Sequence, residues 1–484
     1  MKLGELTAGL DILQSHADPE LDVTGVSFDS RRTKEGEVFV AIRGFETDGH
    51  RYIPAAVKAG ARCVVCEEKP EIDVPYILVP NARRALAILS AAWFGHPAKE
   101  LKIVGVTGTN GKTTTTHLIK TIIETCTGDM VGLIGTNANV FGDVEEEASR
   151  TSPESYDLQH LPRRMADAGC KWVVMEVSSH ALALDRVYGI EYEVGVFTNL
   201  TQDHLDFHKT MEEYLKAKSL LFSQSKKGVI NLDDPHAQYL IENAKCPVKT
   251  FSEHDVTADI VAKRIKLSAD KVEFCVLTIG LLIDVEVGIP SRFTVQNALA
   301  AVTAASQLGI DLQCAVRALK NCRGVKGRME VVPTGRDFTV IIDYAHTPDA
   351  LQKVLETCRE LTKGRLVCLF GCGGDRDPTK RPVMGEIATR LADFTIITSD
   401  NPRTEEPGRI IEDILKGVSA PKSRYTVIEN RREAIAYALD TAQKDDLIVL
   451  AGKGHETYQI IGREKHHFDE REVVFEHLGV KMPH

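Results

Sequence analysis

The sequence lacks a long uninterrupted apolar run, has few tryptophans and carries no excess of basic residues. Its 484 residues include 2 Trp, and 59 Lys and Arg stand against 69 Asp and Glu, a formal net charge of −10. No apolar stretch approaches the roughly 18 residues of a membrane span, and Glu5 and Asp11 interrupt the start of the chain, unlike a signal peptide. The acidic balance argues against a general polyanion-binding surface. We therefore expect a cytoplasmic protein with no membrane insertion and no nucleic-acid partner.

The cysteines also lack a pattern that indicates chemistry. The 11 cysteines are scattered and odd in number, so the sequence predicts neither a disulfide framework nor a cysteine metal site. A reducing compartment accounts for them, and we expect most to be small core residues.

Strand-like and helix-like segments alternate through the chain, which favours an α/β fold of several domains. The pattern predicts a small N-terminal α/β domain over residues 1–97, ending at the linker-like pair His96 and Pro97. A central P-loop ATPase-like domain with a mostly parallel sheet is predicted over 98–329, with a more β-like insertion near 250–290. A C-terminal Rossmann-like, doubly wound domain is predicted over 330–484.

The stretch "VGVTGTNGKTTTTHLIK", residues 104–120, predicts a strand, a glycine turn and a helix start that together bind a phosphate. The match to G-x-x-x-x-G-K-[ST] is imperfect, since Val106 stands at the first glycine position with Gly105 and Gly108 on either side. Lys112 would reach the β- and γ-phosphates, and the Thr113 hydroxyl would ligate Mg²⁺. The alternative is a chance glycine turn, which the strand–turn–helix order disfavours.

"WVVMEVSSHALALDR" places Glu176 at the end of a buried-looking strand. A carboxylate there is costly unless it is paired or metal-bound, so we consider both a salt-bridged residue and a ligand of Mg²⁺. Ser178, Ser179, His180 and Arg186 are expected on the following loop, where they could hold a polar substrate.

"NLTQDHLDFH" brings Asp203, His204, Asp206 and His208 close together in the sequence, and Lys218 follows on an otherwise apolar helical face. The spacing matches none of the common zinc sites, so a zinc site is a weak interpretation and a solvated polar loop is the alternative. A lysine on an apolar face normally extends its ammonium to solvent.

In the last third of the chain, apolar strands end repeatedly in polar residues. Because ligands bind at the carboxyl ends of strands in doubly wound sheets, these endings predict a second ligand site with acidic and basic groups, suited to a zwitterion. Ordinary turn chemistry is the alternative. The residues are Asp343, His346, Arg376, Arg381, Asn401, Arg403, Gly452, His455 and Glu456.

Taken together, the motifs resemble the Mur ligases, the amide-forming enzymes of peptidoglycan precursor synthesis. The resemblance spans nearly the whole chain and rests on an ordered series of motifs: "FDSRRTKEGEVFVAIRGFETDGHRYI", "VTGTNGKTTT", "MEVSSHAL", "NLTQDHLDFH", "GRMEVV", "DYAHTPDAL", "GCGGDRDPTKRP", "DNPR" and "AGKGHE".

The resemblance implies three sets of ligand-binding residues. The ATP set is Gly108, Thr109, Asn110, Gly111, Lys112, Thr113, Thr114, Asn297, Arg328 and Asp343. The set for the UDP-muramoyl-dipeptide is Ser30, His50, Thr151, Ser152, Ser178 and Arg186. The set for the incoming diamino acid is Arg376, Asp400, Asn401, Arg403, Gly452 and Glu456.

The resemblance also implies the catalytic groups Lys112, Glu176, His204 and Lys218. The implied magnesium ligands are Thr113, Glu176, His204 and, once its amine is N-carboxylated, Lys218. Three positions depart from the usual family residues: Leu184 replaces a substrate-binding Gln, Ser291 a Gly, and Thr294 an Asn.

The activity implied by the resemblance is ATP-dependent addition of meso-2,6-diaminopimelate to UDP-N-acetylmuramoyl-L-alanyl-D-glutamate through an acyl phosphate. ATP and Mg²⁺ are the implied cofactors, the partners are these small-molecule substrates, and the protein is expected to be a monomer. The alternatives are the same reaction with L-lysine, a dipeptide-adding ligase, and a nucleotide-dependent switch or binding module without ligation.

Overall fold

The computed structural model describes residues 1–44, 47–148, 150–268, 271–320, 322, 324–419 and 421–481, without the side chains of Asp206 and Ser423. The chain divides into two compact units. The first unit comprises Met1–Ala262, Val276–Ile283 and Gln296–Ala318, and the second comprises Lys263–Cys275, Asp284–Val295 and Leu319–His484.

The N-terminal part of the first unit is a five-stranded sheet in the order β1-β5-β4-β3-β2, parallel except for β1. The strands β2 to β5 are mostly apolar and buried, whereas the edge strand β1 is polar and exposed. The elements are α1 (Leu3–Leu6), β1 (Gln14–Ser15), β2 (Val26–Ser27), β3 (Val38–Val40), α2 (Ile53–Lys58), β4 (Cys63–Cys66), β5 (Tyr76–Leu78) and α3 (Ala82–Trp93).

Cys63 and Cys66 have the C-x-x-C spacing, but they lie on β4 and contact opposite cores. Successive residues of a strand alternate between faces, so positions three apart point away from each other. Burial raises the pKa of both thiols to about 12. The spacing of this pair was overlooked in the sequence, and the opposite orientation of the two side chains prevents them from sharing one metal ion.

The central sheet of the first unit runs in the order β13-β12-β11-β6-β10-β7-β8-β9. It is parallel from β13 to β7, and β8 and β9 add an antiparallel edge. The elements are β6 (Lys102–Thr107), α4 (Lys112–Thr127), β7 (Val131–Ile134), β8 (Ala138–Phe141), β9 (Val144–Glu147), α5 (Ser155–Asp167), β10 (Trp172–Glu176), α6 (Ser179–Ala183), β11 (Val194–Phe197), α7 (Leu205–His208), α8 (Met211–Ser223), β12 (Gly228–Asn231), α9 (Ala237–Asn243) and β13 (Val248–Ser252).

Three further strands confirm the predicted β-rich insertion near 250–290, and two helices follow them. These elements are β14 (Ile260–Leu267), β15 (Val272–Thr278), β16 (Leu281–Val287), α10 (Arg292–Leu308) and α11 (Leu312–Leu319).

The second unit contains a six-stranded sheet in the order β17-β18-β22-β19-β20-β21, parallel except for β17. The four predicted apolar strands β18, β22, β19 and β20 are neighbours, so their polar endings meet at one edge. The elements are β17 (Glu330–Val332), β18 (Thr339–Asp343), α12 (Pro348–Leu361), β19 (Leu366–Phe370), α13 (Lys380–Leu391), β20 (Phe394–Ile397), α14 (Pro407–Leu415), β21 (Tyr425–Val427), α15 (Arg431–Asp440), β22 (Leu447–Ala451), β23 (Tyr458–Ile461), β24 (Glu464–His467) and α16 (Glu470–Leu478).

Cys126 and Cys314 form a disulfide, so the prediction of no disulfide is wrong. The bond joins the end of α4 to α11 across a sequence separation of 188 residues. Closing a loop of that length stabilises the fold by about 5 kcal/mol in the chain-entropy model. Sequence spacing could not reveal the pair, because the two helices meet only in the folded protein.

The α/β fold with parallel sheets is confirmed, while the domain boundaries at 97/98 and 329/330 stay predictions. Within the described ranges, no helix is both long enough and apolar enough to cross a membrane.

Candidate active site

The loop between β6 and α4 has the geometry of a phosphate-binding turn. Gly108 and Gly111 have φ of +150° and +83°, conformations that L side chains rarely adopt, and a Cβ at Gly111 would collide with Asn297. The Lys112 ammonium donates to the carbonyl oxygens of Gly108 and Thr109 at 2.8 and 2.9 Å, so the lysine folds back over the loop. The nucleotide loop predicted at this place thus has the expected strand, turn and helix.

The rest of the loop is held by the strand-end residues after β11. The Thr198 hydroxyl donates to the Asn110 carbonyl at 2.6 Å, and the Asn110 amide donates to Asn199 Oδ1 at 2.9 Å. Thr113 is buried at the start of α4, and Thr114 is half-buried beside it. Asn297 on α10 accepts from Thr115 at 3.3 Å, which places this predicted ATP residue next to the loop helix.

Glu176 ends β10 and is 1% exposed. Its carboxylate accepts from the Thr136 amide and the Thr136 hydroxyl, both at 2.9 Å. Thr136 follows β7, the strand adjacent to β10. Thr136 was not among the residues predicted from the sequence. Its position two residues after the buried strand β7 is a signal that could have found it.

Four of the six residues predicted to bind the muramoyl-dipeptide form one network beside Glu176. The Ser152 hydroxyl donates to the Glu176 carbonyl at 2.9 Å and accepts from the Ser178 amide at 3.0 Å, while Thr151 contacts Thr136 at 3.0 Å. Arg186 donates to the Ser152 carbonyl at 3.1 Å. It also pairs with Glu154 at 2.9 Å.

Ser178 and Ser179 do not lie on a simple loop as predicted. Ser178 caps the short helix α6, accepting from the Ala181 amide at 3.1 Å, and Leu184 ends it. Serine at an N-cap satisfies an otherwise unpaired helix donor, which explains why the chain turns into a helix here.

His50 and Ser30 belong to the N-terminal sheet region. The His50 ring contacts Asp48 Oδ1 at 2.7 Å through Nδ1, and Nε2 accepts from the Glu67 amide at 3.0 Å. Both ring nitrogens are therefore engaged within the protein. Ser30 lies in a turn next to a small cavity of about 110 Å³ lined by Phe28, Asp29 and Tyr156 among others. Their contact with the uridine end stays a prediction.

Lys218 is 1% exposed, so its ammonium does not extend to solvent and that alternative is wrong. Its Nζ lies 4.5 Å from the centre of the Tyr214 ring. Burial, together with the nearby charge of Lys112, lowers the pKa of Lys218 well below 10.5, while Asp203 and Asp234 oppose the shift. Burial therefore favours the neutral amine over the ammonium at this position.

Histidine rings cluster around Tyr214, the aromatic ring over which Lys218 lies. The His204 ring lies 4.8 Å from His180 and 6.2 Å from Tyr214, and His208 stacks on Tyr214 at 4.9 Å. His208 Nε2 contacts the buried Ser179 hydroxyl at 2.8 Å. The side chain of Asp206 lies outside the described residues.

Two of the predicted magnesium ligands are buried oxygen donors. Throughout the part of the chain that the structure describes, no three His, Cys, Asp or Glu side chains form a metal-binding cluster, so the zinc interpretation has no support. Thr113, in the first turn of α4, and Glu176, at the end of β10, are buried oxygen donors, and β10 pairs with β6, the strand that leads into the phosphate loop. Mg²⁺ takes one or two protein oxygens beside phosphate oxygens and water, so these residues fit it.

In the second unit, the predicted amino-acid residues gather at the ends of β20 and β22. Asp400 and Asn401 are buried there. The Asn401 amide donates to Glu456 Oε2 at 2.8 Å, and a Cβ at Gly452 would collide with Asp400. Arg376 is exposed and donates to the Asp375 carbonyl at 3.0 Å.

Arg403 forms no ion pair with Glu405 or Glu406, its acidic neighbours in the sequence. Its Nη1 donates to the Gly374 carbonyl at 2.8 Å, and its backbone φ is +53°. Glu405 instead pairs with the buried Arg381 at 2.8 Å. The structure shows no ion pair of Arg403 with the residues it describes.

Lys453 is a buried residue of this cluster that the sequence prediction missed. It is 0% exposed, and its Nζ lies 3.1 Å from Asn401 Oδ1, 3.1 Å from Glu456 Oε2 and 3.7 Å from Asp400 Oδ1. Its position inside "AGKGHE", between two predicted ligand residues, was the available signal.

Asp343 and Arg328 also belong to the second unit. Asp343 accepts from the amides of Met329 and Ala345, both at 2.8 Å, and burial raises its pKa although Arg328 opposes the shift. Arg328 lies 5.0 Å above the Tyr344 ring. Ser291 accepts from the Phe293 amide at 3.2 Å at the start of α10, where Thr294 is buried.

Curated relatives match nearly the whole chain. A protein of Caldanaerobacter subterraneus subsp. tengcongensis is 49% identical over 484 residues, 99% of each chain, and one of Clostridium tetani is 46% identical over 98% of this chain and 99% of its own. Both are named UDP-N-acetylmuramoyl-L-alanyl-D-glutamate–2,6-diaminopimelate ligase.

Solved structures agree. A ligase structure of the same name has 33% identity and a TM-score of 0.73, covering 99% of both chains. The MurF ligase of Thermotoga maritima in complex with ADP has 20% identity and a TM-score of 0.61, covering 95% of this chain and 97% of its own, and shares the fold.

Three successive segments match family descriptions. Residues 22–108 match "Mur ligase family, catalytic domain", 106–305 match "Mur ligase middle domain", and 327–454 match "Mur ligase, glutamate ligase domain". With this order of domains and relatives of this identity over its full length, the chain belongs to the Mur ligase family.

Proposed function

We propose that this protein is the ATP- and Mg²⁺-dependent ligase that joins meso-2,6-diaminopimelate to UDP-N-acetylmuramoyl-L-alanyl-D-glutamate in peptidoglycan precursor synthesis. The observation that carries the proposal is the similarity over the full chain to relatives that bear this name. The charged cluster at the strand ends of the second unit supports a zwitterionic amino-acid substrate.

A carboxylate does not react with an amine at neutral pH, so ATP first converts it to an acyl phosphate. The substrate carboxylate attacks the γ-phosphorus and ADP leaves; the amine then attacks the acyl carbon and phosphate leaves. Positioning and neutralisation of phosphoryl charge are the main catalytic requirements of the first step. Lys112 supplies a cation at the loop, and the loop amides of Gly108 to Thr113 orient the phosphates.

Magnesium, when bound, supplies positive charge that offsets the charge of the transferring phosphoryl group. Thr113 and Glu176 would hold it, with His204 and modified Lys218 as further ligands. Thr136 keeps the Glu176 carboxylate in place through two hydrogen bonds. Ser152 and Arg186 orient the muramoyl-dipeptide beside it.

Lys218 supports the proposed N-carboxylation through its burial. A neutral amine adds to carbon dioxide, forming an N–C bond and releasing a proton, and burial favours the neutral form of this amine. The product carries a carboxylate where the unmodified chain has an amine. Lys218 is buried on α8, the helix that follows the loop of His204 in the chain. A carbamate explains a lysine in such a position better than packing alone.

Arg403 supports diaminopimelate over lysine. Lysine ends in a bare ammonium, whereas diaminopimelate ends in an ammonium and a carboxylate. A guanidinium presents a planar fork of donors that fits a carboxylate, and Arg403 uses one nitrogen on Gly374. The remaining donors suit the extra carboxylate.

The proposal is tested by ADP release from the purified protein with UDP-N-acetylmuramoyl-L-alanyl-D-glutamate and a panel of amines: meso-diaminopimelate, L-lysine and D-alanyl-D-alanine. We expect nucleotide-tripeptide, identified by mass, with meso-diaminopimelate. Product formed only with L-lysine or only with D-alanyl-D-alanine would indicate that the protein has the activity of a different Mur ligase. ATP turnover that no combination of substrates raises above background would favour a switch or binding module.

A further inference from the structure

The buried ammonium of Lys453 lies among three residues of the amino-acid cluster. It lies within 3.1 Å of Asn401 Oδ1 and Glu456 Oε2, and 3.7 Å from Asp400 Oδ1. The Tyr458 ring closes the remaining side, with its centre 5.7 Å from Nζ. Such partners offset the loss of hydration of a charged lysine in a fully buried position.

Lys453 also determines which way the Asn401 amide faces. Asn401 Oδ1 accepts from Lys453 and from the Ile460 amide at 2.9 Å, while its Nδ2 donates to Glu456. Because both donors require the oxygen, the opposite orientation of the amide would leave Lys453 facing an NH₂ group. Lys453 therefore fixes the orientation of the Asn401 amide and also contributes a positive charge to the cluster.

The formal charges of the four charged groups that are buried or half-buried in the cluster match a zwitterion. Asp400 and Glu456 contribute two negative charges and Lys453 one positive charge, and the half-buried Arg403 brings the sum to zero; Arg376 is exposed, where water screens its charge. The distal end of diaminopimelate is also neutral overall, whereas the distal end of lysine carries one positive charge. Removing Lys453 would leave a negative site that favours a bare ammonium.

We propose that Lys453 is a specificity-determining residue of the amino-acid site, which it keeps neutral so that a zwitterionic amine is accepted and a cationic one is rejected. This inference rests on the proposed function. It assigns to Lys453 a positioning and charge-balancing role, with no contact to the reacting atoms.

The test compares kcat/KM for meso-diaminopimelate and L-lysine in the wild type and in Lys453→Met. We expect the ratio to fall by about tenfold to a hundredfold, the effect of one unit charge in a site of effective dielectric about 20, mainly through KM. Lys465→Met is the matched control, because this lysine also lies over the Tyr458 ring, 4.0 Å from its centre, but is exposed. Its ratio should not change.

The double variant Lys453→Met/Glu456→Gln restores the sum of charges and should recover part of the ratio. Equal losses for both amines in Lys453→Met, with the ratio unchanged, would show a structural role only and overturn the inference. If Lys453→Met fails to fold, Glu456→Gln alone makes the site positive and should raise the ratio. An unchanged ratio in Glu456→Gln would likewise overturn the inference.

The wild type separates the two proposals. A wild type that joins neither amine overturns the proposed function and this inference with it. A wild type that prefers diaminopimelate, with variants that keep its ratio, overturns only the role of Lys453.

Discussion

Replacing Thr136 by Val tests whether the buried carboxylate of Glu176 depends on a neighbour that the motifs do not include. Valine has nearly the shape of threonine, so the change removes the hydroxyl that donates to Glu176 Oε2 at 2.9 Å and keeps the amide that donates to Oε1. Since Glu176 is 1% exposed, water cannot readily replace the lost donor.

A hydrogen bond to a charged group contributes about 1.5–3 kcal/mol. We therefore expect the free energy of unfolding in urea to fall by about 2 kcal/mol. ADP release should fall by about tenfold to a hundredfold, at ~1.4 kcal/mol per decade, because Glu176 is the proposed magnesium ligand. Thr136→Ser keeps the hydroxyl and should restore both quantities.

Thr151→Val is the control for stability. It removes the contact of Thr151 with the same hydroxyl at 3.0 Å but leaves both bonds to Glu176, so its loss should be about 1 kcal/mol or less. A Thr136→Val protein with wild-type stability and wild-type turnover would refute the reasoning.

Four further outcomes are expected. Lys112→Ala should lower ATP-dependent turnover by about a hundredfold or more with the fold intact by circular dichroism; near-normal turnover would contradict the phosphate-loop assignment. Lys218→Ala should be nearly inactive and regain activity with added short carboxylic acids, and an active variant without them would exclude the carbamate. Arg403→Ala should reduce the preference for diaminopimelate over L-lysine in kcat/KM by about a hundredfold, and an undiminished preference would contradict the role of its fork. Burial lowers the pKa of His455 from 6.5 to about 4, so the unfolded chain binds more protons between these values and stability should rise with pH across that window; His455→Gln should flatten the rise in urea titrations, and an equal rise in both proteins would contradict it.

The sequence alone predicted the features that depend on neighbours along the chain. The phosphate loop needs β-branched residues, glycines at positive φ and a helix start within about a dozen residues, and "VTGTNGKTTT" contains all of them. Likewise, the four apolar strands of the second unit end in polar residues, and the sheet brings those ends to one edge because parallel strands all point the same way.

The tertiary structure alone decided which side chains meet across long separations. Thr136 reaches Glu176 because β7 pairs with β10, Lys453 reaches Asn401 because β20 and β22 end at the same edge, and Cys126 bonds to Cys314 because α11 lies against α4. Glu405 pairs with Arg381 on α13 and not with Arg403, its neighbour in the sequence. Local patterns cannot specify such contacts, since they depend on strand order and register, which are set by the packing of the whole core.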